Sequence, residues 1–434
     1  MYNKIIIFLG FIILAQTLHG AAYSIPEQST RSIGMAAAMT AVEDDVGSIY
    51  FNPANLGFIE EGSYLKSSSL LISFNGSFER AADSLSSSGY ERKKNLSKVN
   101  YVPFVGAGKK YKKNSDFFGF ALYSPFGLRS PWNKSGPQRY MVTDSHLRTV
   151  FLVPTYARKI TDNLSLGAGL NMVHSQLILE RQAPLGNVLY SQTGNVSFLE
   201  NPTYDSPVEI DMKDHGSFSG NFGMSYKLSN RSRIGLVYRS QTNMDFKGKY
   251  RVNNIHSSLS SLGSSFESPA ASELSLPQSA GFGYAHKTPT NRLFSLDVQW
   301  YDWSVVDHVP IDLEIDSHPV FKDQVIDRNW KDTWSIRSGY EFPLKWEGLI
   351  GRVGGFYENT PINNERLDPI LLSNDVLGLS CGLSLDLDEG HIELGYMHLF
   401  TRSRNVNNSL NDPASNGKYH YSLDIIGLSF LKHY

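Results

Sequence analysis

The sequence predicts an all-β protein, a fourteen-stranded antiparallel transmembrane barrel preceded by a segment outside the wall, which either hangs in the periplasm or folds back into the lumen. Three observations predict it. Apolar and small or polar residues alternate with period two along many segments. The links between those segments are alternately short and long. Aromatic residues gather toward the ends of the apolar faces, as in the girdles that flank the apolar band of an outer-membrane barrel.

The chain begins with Lys4 and the apolar run Ile5–Ala15, followed by Gln16, Thr17 and the small residues Gly20, Ala21 and Ala22. A basic n-region, a short apolar h-region and small residues before a cleavage point make a secretory leader. Residues 1–20 are therefore expected to be a signal peptide, with the mature chain starting near Ala21 or Tyr23. After it no stretch approaches eighteen consecutive apolar residues, so helical membrane spans are excluded. The mean hydropathy of −0.27 suits a barrel as well as a soluble protein, because lipid-facing and lumen-facing residues average out. A net charge of −2 in 434 residues gives no footprint for nucleic acid, and a lone Cys381 supplies neither a disulfide nor a metal cluster.

Residues 21–62 form the next unit. The passage EDDVGSIYFNPA, residues 43–54, combines Asp44, Asp45 and Gly47 with Asn52, Pro53 and Ala54. Proline has no N–H to give a ladder, so this stretch is not a central strand. The Ala-rich stretch 34–42 suggests a short helix, whose C-terminal end next to Glu43, Asp44 and Asp45 is unfavourable for its dipole. Those carboxylates call for cationic partners. Alternation places Arg233, Arg239 and Arg337 on the lumen face of their strands, which predicts a carboxylate–arginine latch to the wall.

Residues 63–434 then read as the barrel. In LSLGAGLNM, Leu164, Leu166, Ala168, Leu170 and Met172 share one face, and in LGLSCGLSLDL apolar residues hold every odd position from Leu377 to Leu387. Candidate strands fall at about 63–79, 99–112, 116–131, 146–160, 163–182, 208–228, 232–250, 277–288, 292–305, 331–344, 347–359, 374–387, 390–402 and 419–433. Fourteen is an even number, as expected for single-chain bacterial barrels. Long polar links are expected at 80–98, 132–145, 183–207, 251–276, 306–330, 360–373 and 403–418. At the terminus Ile426, Leu428, Phe430 and Tyr434 share a face, with Lys432 placed to snorkel.

The whole mature chain resembles the outer-membrane long-chain fatty acid and hydrocarbon transporters of the FadL/TodX type (OMPP1). EDDVGSIYFNPA is similar to the family's plug motif, and LSLGAGLNMVHSQLILER to the strand that carries its ligand-binding arginine. LVYRSQTNMDFKGKY, PFGL, LPQSAGFGY, DVQWYDWS and LGYMH fit in the same order. The resemblance implies that residues 21–62 are a hatch in the lumen. It also implies passive uptake of hydrophobic compounds, first of all long-chain fatty acids, released sideways through a gap in the wall. Aromatic or alkane hydrocarbons are the alternative.

Arg181 matches the family's ligand arginine. Strand parity puts it inward with Leu177 and Leu179, an apolar surface topped by a guanidinium that suits a carboxylate with a long tail. Ile326 stands where the family has a lysine ligand, with Lys322 and Arg328 nearby, and Arg328 is the second basic candidate. Pro125, Phe126 and Gly127 match the family's kinked third strand. Pro125 and Pro131 each remove a ladder donor there, which predicts the gap. No cofactor and no metal are expected. The expected partners are the hydrophobic ligand, outer-membrane lipid and the outer-membrane assembly machinery, with the barrel a monomer. Enzyme readings are weak, since Asp144, Ser145 and His146 are a polar loop cluster rather than a spaced triad. A non-selective porin has no use for an N-terminal plug.

Overall fold

The computed structural model describes residues 22–42, 45–82, 92–112, 115–315 and 318–434, with the side chain of Leu128 excepted. The expected signal peptide and Asp44 therefore lie outside the described residues. Fourteen antiparallel staves follow in chain order: β1 (Gly62–Arg80), β2 (Lys93–Lys110), β3 (Asp116–Tyr123, resuming at Gly127–Arg129), β4 (Asp144–Lys159), β5 (Leu164–Pro184) and β6 (Asp205–Lys227). Next come β7 (Ser232–Arg239 and Thr242–Val252), β8 (Phe266–Leu276 and Ser279–Lys287), β9 (Leu293–Tyr301 and His308–Leu313) and β10 (Gln324–Asp327 and Thr333–Pro343). The last four are β11 (Leu349–Glu358), β12 (Val376–Leu387), β13 (Gly390–Thr401 and Arg404–Val406) and β14 (Gly417–His433). β14 pairs with β1 from Tyr64↔His433 to Arg80↔Gly417, which closes the barrel. A closed ladder leaves no strand edge to lipid, where an unpaired N–H or C=O would cost several kcal/mol.

Side-chain alternation follows the sequence. Leu166, Leu170 and Met172 on β5, and Leu377, Leu379, Leu383, Leu385 and Leu387 on β12, point outward and are exposed. Tyr226, Tyr238 and Tyr396 are exposed at the ends of their staves, in the girdle positions. Ile426, Leu428, Phe430 and Tyr434 are outward too, and Lys432 reaches Glu389 at 3.2 Å.

Two expectations are corrected above the membrane band. The segments 251–276 and 306–330 are not simple polar loops, because Phe266–Leu276 pairs in full with Thr242–Val252 and His308–Ile311 pairs with Gln324–Asp327. The ladder continues where the outward face no longer needs to be apolar, so the period-two signal fades although the strand does not. The link after β5 contains a helix, α3 (Gly186–Thr193), stopped by Gly194 at φ 69°.

Residues 22–42 and 45–59 are almost wholly buried and touch staves on several sides of the ring. They contain α1 (Thr30–Gly34), opened by a reciprocal Ser29–Ser32 capping box, then α2 (Ser48–Phe51) and a 3₁₀ turn at Pro53–Gly57. The expected helix at 34–42 is not formed. Ala36 and Ala37 instead take left-handed φ of 49° and 58°, a conformation costly for a residue with a Cβ. The wall holds the backbone in that form: Arg337 Nη1 donates to Ala36 O at 3.3 Å, and Thr40 N donates to Asp297 Oδ2 at 2.8 Å.

Candidate functional site

Glycines on the inner wall let this N-terminal segment touch the staves. A Cβ on Gly167 of β5 would fall 2.5 Å from Pro53 C, and one on Gly223 of β6 would fall 2.0 Å from Asn52 Oδ1. Gly235 meets Thr40 O, Gly339 meets Met35, Gly354 meets Ala36, and Gly427 meets Ile33 in the same way. Asn52 is the centre of the contact. Its Nδ2 donates to Thr40 O at 2.8 Å and to Met224 O at 3.1 Å, while its Oδ1 accepts from Ala54 N. Pro53 starts the 3₁₀ turn, where its missing N–H costs nothing. Gly47 N donates to Asp45 Oδ1 at 2.8 Å.

Glu43 and Asp44 of the expected latch lie outside the described residues; Asp45 pairs at 2.8 Å with Lys66 of β1. Lys66 also reaches Glu393 of β13 at 3.5 Å, and Arg352 of β11 reaches Glu393 at 3.3 Å. Arg337 sits fully buried between Glu27 at 3.3 Å and Glu358 at 2.6 Å. Burial pushes the Glu27 carboxyl up from its ordinary value, against the pull of Arg337. Arg239 donates to the carbonyls of Tyr50 and Phe51, and Arg233 lies over the Phe58 ring. All three arginines thus touch the N-terminal segment, through Glu27, carbonyls and a ring. Parity gave the arginines' direction, but it could not show that Lys66, inward on β1, is nearer to Asp45.

Toward the long-link end, one apolar cavity gathers residues from six staves. Leu177 and Leu179 of β5 line it with Leu147, Ile210, Met212, Leu274, Ile311 and Ile326, and Arg328 and Tyr23 close one side. Arg328 donates through Nη1 to Asp368 Oδ2 at 2.7 Å, both residues being buried. Arg181 is not in the cavity lining. Its Nη2 donates to Gln324 Oε1 at 2.9 Å, above the apolar surface. Parity along β5 persists because the register shift at Val173/Ser175 places its additional residue on β6.

Sequence reasoning missed the aromatic floor of this cavity. Tyr23, Trp303 and Trp330 pack with ring centroids 4.8 to 5.7 Å apart. The Tyr23 hydroxyl and both indole N–H groups are buried without an acceptor among the described residues. Burial, opposed by Arg328, pushes the Tyr23 phenol up from its ordinary value. Trp303 stands in DVQWYDWS, quoted above for resemblance alone, and Trp330 ends the expected polar link 306–330, where a tryptophan was the available signal.

The third stave breaks where Pro125, Phe126 and Gly127 predicted. Its ladder with β2 ends at Val105↔Leu122, so Lys93–Phe104 has no strand partner on that side. Between Tyr123↔Phe151 and Gly127↔Arg148, three residues of β3 face two of β4. The spare backbone groups turn inward: Ile25 N donates to Pro125 O and Gly127 N to Tyr23 O, both at 2.8 Å. The N-terminal residues thus form a short bridge with the kink, Ser24↔Phe126.

A closed barrel of this strand number, an internal N-terminal segment and an interrupted third stave are matched by a family model. The model for outer membrane transport proteins of the OMPP1/FadL/TodX group fits residues 11–432. The chain belongs to this family. A curated relative, the long-chain fatty acid transport protein of Escherichia coli O6:H1, is 23% identical over 425 residues, covering 92% of this chain and 91% of the relative. A crystal structure of a Pseudomonas aeruginosa FadL homologue superposes with a TM-score of 0.81 at 17% identity, covering 95% of this chain and 99% of that one. The Pseudomonas putida toluene transporter TodX gives 0.67 at 15% identity, covering 97% and 100%. This FadL/TodX-type protein is accordingly an outer-membrane β-barrel transporter of hydrophobic compounds, and its family is one of transport proteins rather than enzymes.

Proposed function

We propose that the protein takes up long-chain fatty acids passively, seating the carboxylate on the donor-rich side of the apolar cavity and releasing the molecule sideways at the third stave. The carrying observation is chemical. Where Arg328, Tyr23 and Trp330 meet the cavity, two buried donors lack an acceptor, and each such donor costs about 1–3 kcal/mol. A carboxylate is acceptor-only and satisfies several donors at once, while Leu177, Leu179 and Met212 cover the tail. Arg181, one layer higher, is proposed as the first cation met by an incoming acid.

A second reading, uptake of aromatic or alkane hydrocarbons, is favoured by one contact. Asp368 already neutralises Arg328, which leaves a cavity of no net charge, and its aromatic side suits a flat apolar guest. Titrating the purified protein with palmitate and with hexadecane, following tryptophan fluorescence, decides between them. Palmitate binding at least about tenfold tighter is the fatty-acid outcome, given about 1.5–3 kcal/mol for a charged hydrogen bond; equal or reversed affinities favour hydrocarbons.

The hatch role of residues 22–59 and the lateral route are supported by the Ser24↔Phe126 bridge, which closes the wall at its break. Paired residues of an antiparallel bridge lie within disulfide reach. With Cys381→Ala as background, Ser24→Cys with Phe126→Cys should stop delivery of ligand to vesicle lipid, and reductant should restore it. Undiminished delivery through the oxidised protein would rule the route out.

A further inference from the structure

We propose that the crevice beside the broken third stave, between the upper part of β2 and the outer face of β3 and β4, binds an anionic headgroup, carboxylate or phosphate. Strand pairing fixes the directions. Leu147 points into the cavity, so its neighbours His146 and Arg148 point outward, as does Arg129, which pairs with His146. Outward residues on this barrel are generally exposed, yet His146 is only 6% exposed and Arg129 and Arg148 are half-buried. The cover is β2. Asn100 and Gly127 each lie five residues beyond the last β2–β3 pair, Val105↔Leu122, and Arg148 sits opposite Gly127. Lys98, on the same face of β2, is close enough to act electrostatically on Asp144 and His146. Where β3 bends inward, the inner face of this part of β2 has no strand partner on that side among the described residues.

The crevice is built to take an anion. Lys98, Arg129 and Arg148 bring three cations to it. Asp144 offsets one, at 3.7 Å from Arg129, and Glu180 behind it is engaged by Lys134 at 3.7 Å. Asn100 is 1% exposed, and both its side-chain polar atoms lack a partner among the described residues. Nε2 of His146 and Nε of Arg148 are likewise buried and unsatisfied. Native interiors rarely leave so many polar atoms unpaired in one place. Arg148 stands eight residues above Tyr156, roughly 20 Å along the membrane normal for a tilted strand, toward the outer edge of an apolar band about 25 Å tall. An acid sliding sideways keeps its charge at that level while its tail enters lipid, and a phosphorylated lipid presents its charge there from outside.

The carboxylate source rests on the lateral route proposed above; the phosphate source does not. The test uses the full-length protein in phosphatidylcholine vesicles, with Arg148→Gln and the charge-keeping Arg148→Lys. Delivery of palmitate and of hexadecane to vesicle lipid is timed, and retention of diphosphoryl lipid A is measured by native mass spectrometry. If the occupant is the leaving acid, Arg148→Gln slows palmitate by about tenfold or more, hexadecane far less, and Arg148→Lys recovers most of the rate. If it is membrane phosphate, Arg148→Gln loses the retained lipid A while palmitate and hexadecane keep their ratio. Unchanged palmitate-to-hexadecane ratio together with unchanged lipid A retention overturns the proposal. The oxidised Ser24/Phe126 disulfide separates the two ideas, because a failed lateral route leaves delivery intact there whatever Arg148 does.

Discussion

Asp368→Asn should convert the cavity from neutral to cationic and shift its ligand preference. In the wild-type structure Asp368 Oδ2 holds Arg328 Nη1 at 2.7 Å. A ligand carboxylate on the opposite edge of that guanidinium would sit roughly 6 Å from the Asp368 carboxylate, a repulsion of about 3 kcal/mol at an effective dielectric constant of 20. Removing the aspartate charge lifts that repulsion, so palmitate affinity should rise by about one to two decades. The free protein should lose stability, by up to about 3–5 kcal/mol, because a buried guanidinium is left without its partner, and palmitate should restore most of it. Asparagine keeps the Oδ1 that accepts from Ile370 N, so the local turn survives, and loses only the oxygen that accepts from Asn411 Nδ2. Fluorescence titration with palmitate and hexadecane, plus thermal unfolding with and without palmitate, reads both effects. An unchanged palmitate affinity, or an equal gain for hexadecane, would refute the assignment of Arg328 as the carboxylate anchor.

Three further outcomes follow from named contacts. Gly223→Val should unseat the Asn52 turn, since even a Cβ there meets Asn52 Oδ1 at 2.0 Å, and reconstituted vesicles should leak small polar solutes; Gly216→Ala, with nothing within 4 Å, is the silent control. Lys66→Met should leave Asp45 and Glu393 buried and short of a cation, costing about 3–5 kcal/mol, seen as unfolding at lower temperature on heated gels. Ala37→Gly should relieve a left-handed alanine and stabilise the folded protein by about 1 kcal/mol, and a drop in melting temperature would show that its methyl packing outweighs the strain.

The staves were legible because lipid imposes its rule locally: every second residue from Leu377 to Leu387 has to be apolar whatever the rest of the chain does. The interior obeys no such rule. Arg337 could be seen to face inward, but its choice of Glu27 and Glu358 depends on how a segment three hundred residues earlier folds against it. Ala36 and Ala37 have helical propensity, and contact with Gly354, Arg337 and Asp297 overrides it. The strands Phe266–Leu276 and His308–Leu313 escaped notice because they rise above the lipid, where alternation carries no penalty. Arg328, a flanking choice in the sequence, reached the cavity, whereas Arg181, placed by resemblance, stands just above it.

The glycine seats have a consequence for how the molecule is made. They lie on staves from β5 to β14, and Thr30 N donates to Ser429 Oγ across 399 residues of chain. The finished ring is sealed between its first and last staves, from Tyr64↔His433 to Arg80↔Gly417. This segment precedes every stave in the chain and must therefore wait unsatisfied until the later staves that carry its seats have formed. Contacts of such long range are slow to form, so the rate of maturation should depend on the fit of this segment as much as on the strands themselves.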